Sequence, residues 1–215
     1  MEMDAFCKDG KFYSINNIYF DTVNNDLIRT SIDKPAYKEK LRLRSYGVPE
    51  FNAIVFLEIK KKYNGIVNKR RTLLKLNQAY DFLFDGIMPS EGDYLNAQVL
   101  KELKFFMEFY NPVAKLFLAY DRVAMFGKDD ENLRITADRN IRTRRDDLRL
   151  EDGDYGDKLL QDGQVLIEIK TASSFPVWLV DILTELDMKG TSFSKYGTEY
   201  RQFMDNTLQK RGAIC

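Results

Sequence analysis

The 215-residue chain is 44% apolar and 31% charged, an ordinary globular mix. Its 33 basic and 33 acidic side chains cancel, so net charge gives no footprint for nucleic acid or an anionic membrane. There is no histidine, which excludes Ser-His and Cys-His nucleophile pairs and His-ligated zinc.

Cys7 and Cys215 stand at the two ends without metal-ligand spacing and read as free thiols of a reducing compartment. No stretch approaches the ~18 apolar residues of a membrane helix, and no basic-then-apolar leader opens the chain. The expectation is one cytoplasmic domain over 1–215 with no membrane segment.

Strand-like segments dominate. The first spans 12–21. The second, 36–46, puts Lys38, Lys40, Arg42 and Arg44 on one face and Leu41 and Leu43 on the other, because side chains two apart share a face of a strand. In the third, 53–63, Glu58, Lys60 and Lys62 lie opposite Leu57 and Ile59. Tyr63-Asn64-Gly65 predicts a hairpin into the fourth, 66–75, where Lys69 and Arg71 share a face. Helices follow over 77–85 and 94–110; in the second, Leu95, Val99, Leu103, Phe106 and Tyr110 form one apolar stripe.

A strand over 113–126 carries Arg122 two residues after Tyr120, with Val123 and Met125 opposite. The next, 132–141, sets Arg134, Thr136 and Asp138 against Leu133, Ile135 and Ala137. Segment 142–162 is polar and Gly-punctuated, which predicts a long loop. A seventh strand, 163–171, places Glu168 and Lys170 opposite Val165, Ile167 and Ile169. Helices close the chain over 176–187 and 197–210. Trp178, and the core-facing stripe of Tyr200, Phe203, Met204 and Leu208, are expected to pack on the outside of a barrel.

This order predicts an α+β domain with a mostly antiparallel sheet or barrel. Neither GxxxxGK[ST] nor GxGxxG occurs, so a glycine-loop phosphate site is unsupported. Any one of these strands alone reads as half-wet sheet. Repeated strand after strand, so much like charge on one face would repel itself without an anion or interspersed Glu. A closed antiparallel β-barrel with its charged face inward and helices outside makes a basic tunnel suited to phosphate oxygens. Glu58 and Glu168 recur in the echoed strings LEIK and IEIK. For Glu58 charge pairing is the favoured role; for Glu168 pairing and a hard divalent cation, Mn²⁺ or Mg²⁺, stay equally open.

The stretches YFDT (19–22), KEKLRLRSYG (38–47), FLEIKKK (56–62), VNKRRTLL (67–74), YDRVAMFG (120–127), LRITAD (133–138), LIEIK (166–170) and SFSKYG (192–197) resemble, in order and spacing, the VTC domain of polyphosphate polymerases, within the CYTH-like triphosphate-tunnel superfamily. The resemblance implies an antiparallel tunnel binding triphosphate and a divalent metal. It implies catalytic roles for Lys60, Arg122, Arg134 and Lys170, phosphate binding by Lys40, Arg42, Arg44, Lys69, Arg71, Ser194 and Lys195, and metal binding by Glu168 and Glu58. It also implies a further first strand, of the pattern R-x-E-x-K-Y, that 1–11 does not supply, so the domain is N-terminally short against the family.

The function implied is transfer of the ATP γ-phosphate to a growing polyphosphate chain. Its alternatives are a triphosphatase in the same tunnel and a non-catalytic polyphosphate- or nucleotide-binding module. The partners are then ATP and polyphosphate, with no nucleic acid, and with a homodimer or a strand-supplying partner able to cover an open edge.

Overall fold

The computed structural model describes residues 1–7, 10–89, 92 and 94–212; Cys215 lies outside them. Cys7 is a buried free thiol. The elements in chain order are β1 (Glu2–Met3), β2 (Tyr13–Asp21), α1 (Asp26–Ile32), β3 (Tyr37–Tyr46), β4 (Ile54–Tyr63), β5 (Ile66–Lys75), α2 (Leu76–Asp85), α3 (Ala97–Tyr110), β6 (Val113–Phe126), β7 (Arg134–Arg144), β8 (Asp157–Lys158), β9 (Leu166–Lys170), α4 (Val177–Glu185) and α5 (Lys195–Gly212).

Among the described residues these strands form one nine-stranded sheet with the order β5-β4-β3-β2-β6-β7-β8; β1 adds to β6 and β9 to β7. Every pairing is antiparallel. The fold is therefore α+β, as expected. The sheet is open, however, and the expected closed barrel is not formed. Among the described residues β5 pairs only with β4 and β9 only with β7, while the two-residue β1 lies on β6 rather than between those edges.

Parity sorts the side chains between two faces. Leu41, Leu43, Leu57 and Ile59 are fully buried in the main core with Phe20, Phe117 and residues of α2 and α3. The basic positions point to the opposite face, where Ile15, Tyr19, Leu116, Leu118 and Tyr120 meet Ile28 of α1 and Tyr196 and Tyr200 of α5. The β4–β5 hairpin turns at Asn64 and Gly65, both at positive φ (44° and 88°), as a two-residue turn matching strand twist requires.

Several expectations need correction. The segment 22–35 holds α1, which has no long apolar stripe to announce it. Its start is fixed by the buried Asp21 carboxylate, which accepts from the Leu27 and Ile28 N–H groups at 2.9 Å each, satisfying first-turn donors. The expected loop 142–162 contains the end of β7 and all of β8. Arg142 and Arg144, polar by composition, are buried in the sheet. Arg144 donates to the carbonyls of Asp147, Arg149, Gly153 and Tyr155 and lies over the Phe117 and Tyr155 rings.

Helix α5 starts at Lys195, ahead of Gly197, because Ser194 Oγ accepts the Gly197 N–H at 3.2 Å. Of the stripe expected on it only Tyr200 is buried, and it packs on the basic face with Tyr19 and Tyr120 instead of on the outside; Phe203, Met204 and Leu208 are exposed. Trp178 is likewise 45% exposed, and Leu179 is the buried residue of α4.

Candidate anion-binding site

Register assembles the basic face from single side chains on separate strands. Glu58 on β4 lies opposite Arg42 on β3 and Arg71 on β5. Lys60 lies opposite Lys40 and Lys69. On the other flank Arg122 faces Asp138, Thr136 faces Glu168 and Arg134 faces Lys170.

Two ion clusters result. In the first, the buried Glu58 carboxylate accepts from Arg42 Nη2 at 2.6 Å and Nε at 2.7 Å, with Lys69 Nζ 2.7 Å away and Arg44 Nη1 at 3.9 Å. Burial pushes Glu58 up, but Arg42, Arg44 and Lys69 outweigh it and hold its carboxyl at about 2. Arg42 also donates to Tyr19 OH at 3.2 Å, and Arg44 to Asn17 Oδ1 at 2.9 Å.

In the second cluster Arg122 makes a bidentate pair with Asp138 at 2.6 and 2.8 Å, and Lys195 Nζ reaches the same carboxylate at 2.6 Å. Burial again opposes ionisation, and Arg122 and Lys195 override it, drawing Asp138 below the usual carboxylate range. Tyr120 joins the two clusters. Its hydroxyl accepts from Arg44 at 3.3 Å, while Arg122 and Lys195 sit 5.0 and 4.6 Å from its ring centre. Tyr120 lies at a register shift between β6 and β7, the kind of bulge that re-aims a side chain beside a site.

The face is strongly electropositive. Burial alone raises a tyrosine pKa, yet Tyr19, beside Arg42, Arg44 and Lys40, is lowered from its ordinary 10.0. The lysines are crowded in turn. Burial pushes Lys40 and Lys60 down, with Lys38 and Lys60 adding to the effect on Lys40 and Arg42 to that on Lys60. Burial likewise depresses Lys69, with Glu58 opposing. Glu168 of β9 raises Lys60 and Lys170 lowers it, as lesser influences than burial and Arg42.

Of the residues singled out from sequence, the structure brings together Arg42, Arg44, Glu58 and Lys69 in one cluster and Arg122 and Lys195 in the other. Lys40 reaches Ser194 Oγ at 3.4 Å. Others stay at the rim: Arg71 over the Phe56 ring at 5.3 Å, and Arg134 over Phe126 at 4.9 Å with Asp4 3.6 Å away. Glu168 and Lys170 form an exposed pair at 3.3 Å. Asp138, Asn17, Tyr19 and Tyr120 also belong to these clusters; nothing in their own sequence surroundings singles them out, and the strand register reveals their contacts.

Among the described residues no group of three His, Cys, Asp or Glu side chains could hold a metal ion. Glu58 and Asp138 are neutralised by cations. Glu168 lacks a buried partner, and the register places it opposite Thr136, whose buried hydroxyl has no hydrogen-bond partner. One carboxylate and a neutral oxygen fit a hard cation shared with phosphate oxygens, the usual manner of Mg²⁺, and do not fit a cage built by protein alone.

A family model described as VTC domain matches residues 1–204. No curated protein matches the chain. Among solved structures, a candidate adenylate cyclase from Bacillus halodurans superposes with a TM-score of 0.55 at 16% identity, covering 88% of this chain and 82% of its own; it shows a common fold. A candidate adenylate cyclase from Vibrio parahaemolyticus matches with a TM-score of 0.36 at 11% identity, over 82% of this chain and 68% of its own.

Proposed function

The chain belongs to the VTC domain family, and from that premise we propose that it is a polyphosphate polymerase domain, which transfers the γ-phosphate of ATP to the end of a polyphosphate chain. The observation that carries this reading is the one basic face on which Arg42, Arg44, Lys69, Arg122 and Lys195 converge on only two buried carboxylates. Phosphoryl transfer asks for positioning and charge neutralisation rather than covalent help from the protein.

In this reading Glu58 and Asp138 hold the guanidinium groups in place without exhausting their N–H donors, and the remaining donors take phosphate oxygens. Lys40, Lys60 and Lys170 add point charges, and Arg134 and Arg71 flank them. A terminal phosphate oxygen of the acceptor chain attacks the γ-phosphorus. The bond from that phosphorus to the β–γ bridging oxygen breaks, and ADP leaves with the electron pair. The acceptor is already an anion and needs no general base, in keeping with a chain that has no histidine. Glu168, with Thr136 beside it, is the residue to hold Mn²⁺ or Mg²⁺, which when bound offsets charge on the departing diphosphate.

The open sheet edge beside β5 favours one other reading, a module that binds polyphosphate without turning it over. Incubation with ATP and Mn²⁺ or Mg²⁺, with separation of ADP, phosphate and polyphosphate, tests both. ADP matched by polyphosphate is the expected result. ADP with free phosphate alone makes the domain a triphosphatase. Tight polyphosphate binding without turnover leaves the binding module.

A further inference from the structure

The basic face changes character toward one end. Along β3, Lys40, Arg42, Arg44 and Tyr46 follow one another on that face at two-residue steps, and the last of them is aromatic. Register gathers further rings there: Phe56 lies opposite Arg44, and Tyr13 opposite Arg122. Tyr46 is the hub. Phe6 stacks on it with ring centres 5.3 Å apart and planes within 3° of parallel. Phe56 meets it edge-on at 5.5 Å, and Tyr13 is tilted against it at 6.0 Å.

Two features distinguish these rings from core packing. The first is exposure: Phe6 is 62% exposed and Tyr46 40%. Among the described residues Phe6, Tyr46 and Phe56 belong to none of the three buried apolar clusters. Contiguous rings left in water are apolar surface for a ligand to cover. The second is their company. The Arg71 guanidinium lies 5.3 Å from the centre of the Phe56 ring, and Arg44 and Arg122, opposite Phe56 and Tyr13, belong to the two ion clusters. A flat apolar surface continuous with arginines complements a molecule that carries a planar base at one end and phosphates at the other. Inorganic polyphosphate has nothing to place on the rings.

We propose that Phe6 and Tyr46, backed by Tyr13 and Phe56, hold the base of the donor nucleoside triphosphate, whose phosphates run from there onto Arg44 and Arg42; the inference rests on the function proposed above. Two residues of a strand span about 7 Å, so the two arginines stand one and two such steps from Tyr46, a spacing that an extended nucleotide can follow. Stacking tolerates any base, because every base has a π-face. The rings therefore select a nucleotide over a bare phosphate chain without choosing adenine, and they assign the donor to this end of the face.

The experiment measures equilibrium binding of ATP and of tripolyphosphate, which has three phosphates and no base, to the whole chain and to its Phe6→Ala, Tyr46→Ala double variant. Removing both rings weakens ATP binding about tenfold or more, the size of one lost base stack, and leaves tripolyphosphate affinity unchanged. Phe6→Tyr with Tyr46→Phe keeps both affinities. If the double variant does not fold, Phe6→Ala alone, at an exposed position, decides by the same comparison. ATP affinity that survives removal of the rings overturns the base site. So does an equal loss for both ligands, which would make the rings mere supports of the arginines. If the unmodified chain binds neither ligand, the function proposed above fails first and this inference with it.

Discussion

Glu58 is the residue on which the basic face turns. Its carboxyl is held at about 2 against an ordinary 4.5 by Arg42, Arg44 and Lys69, which contributes ~3 kcal/mol at neutral pH. A depressed folded-state pKa means that this stability is fully present above about 4.5 and is lost as pH falls toward about 2. Glu58→Gln leaves three cations around an uncharged amide. Urea unfolding at pH 7 should show a loss of about 3 kcal/mol, and the variant's stability should change much less than the parent's between pH 4.5 and pH 2. A parent and variant with parallel acid profiles would mean that Glu58 carries no such linkage.

Lys170 gives the opposite case. It is exposed, and its pair with Glu168 is of the solvent-screened kind that adds little stability. Lys170→Ala should leave the Tm within about two degrees and lower turnover of ATP to polyphosphate about a hundredfold, the size of one lost electrostatic contact to a reacting phosphate. A variant that melts early makes Lys170 structural, and one with full turnover removes it from the site.

At the scale of elements, alternation along strands was the most legible signal. The two faces of β3 and β4 follow from period-two parity alone, and the hairpin from Asn64-Gly65; on β9 the expected apolar face stays uncovered, with Val165 and Ile167 exposed. What alternation does not carry is register. Parity puts Arg42 and Glu58 on one face, but only the pairing of β3 with β4 sets them opposite each other. A polar, Gly-punctuated segment also reads as loop, so composition puts Arg142 and Arg144 outside the sheet, whereas Arg142 and Arg144 end β7. Their charges are absorbed by groups distant in sequence or by backbone carbonyls, and composition does not show that.

Arg144 is the anchor of the segment after β7, through four carbonyls and two aromatic rings. Arg144→Ala leaves those carbonyls without their donor and should cost about 2–4 kcal/mol. Limited proteolysis should cut first within 145–156, and tripolyphosphate affinity should stay near that of the parent, because the side chain lies across the sheet from the basic face. An unchanged cleavage pattern would show that the loop is held by other contacts, such as the bidentate Arg145–Glu199 pair at 2.8 and 2.7 Å.

For the molecule as a whole, zero net charge conceals a strong division of charge between surfaces. The sum read from composition excludes a broadly basic protein, yet parity collects lysine and arginine on one face, and burial there depresses Lys38, Lys40, Lys60 and Lys69. A bound phosphate chain stabilises the protonated ammonium groups and so raises their pKa values. Protons are therefore taken up on binding, and affinity falls as pH rises through the depressed lysine range, below the ordinary 10.5. Calorimetric titration of tripolyphosphate between pH 7 and pH 10, in buffers of differing ionisation enthalpy, should show both the weakening and the proton uptake. It should also show a steep loss of affinity with salt, since exposed charges are screened beyond ~10 Å at 0.1 M ionic strength. Arginines do not titrate in this range, so a Kd independent of pH would assign binding to Arg42, Arg44 and Arg122 and leave the lysines as bystanders.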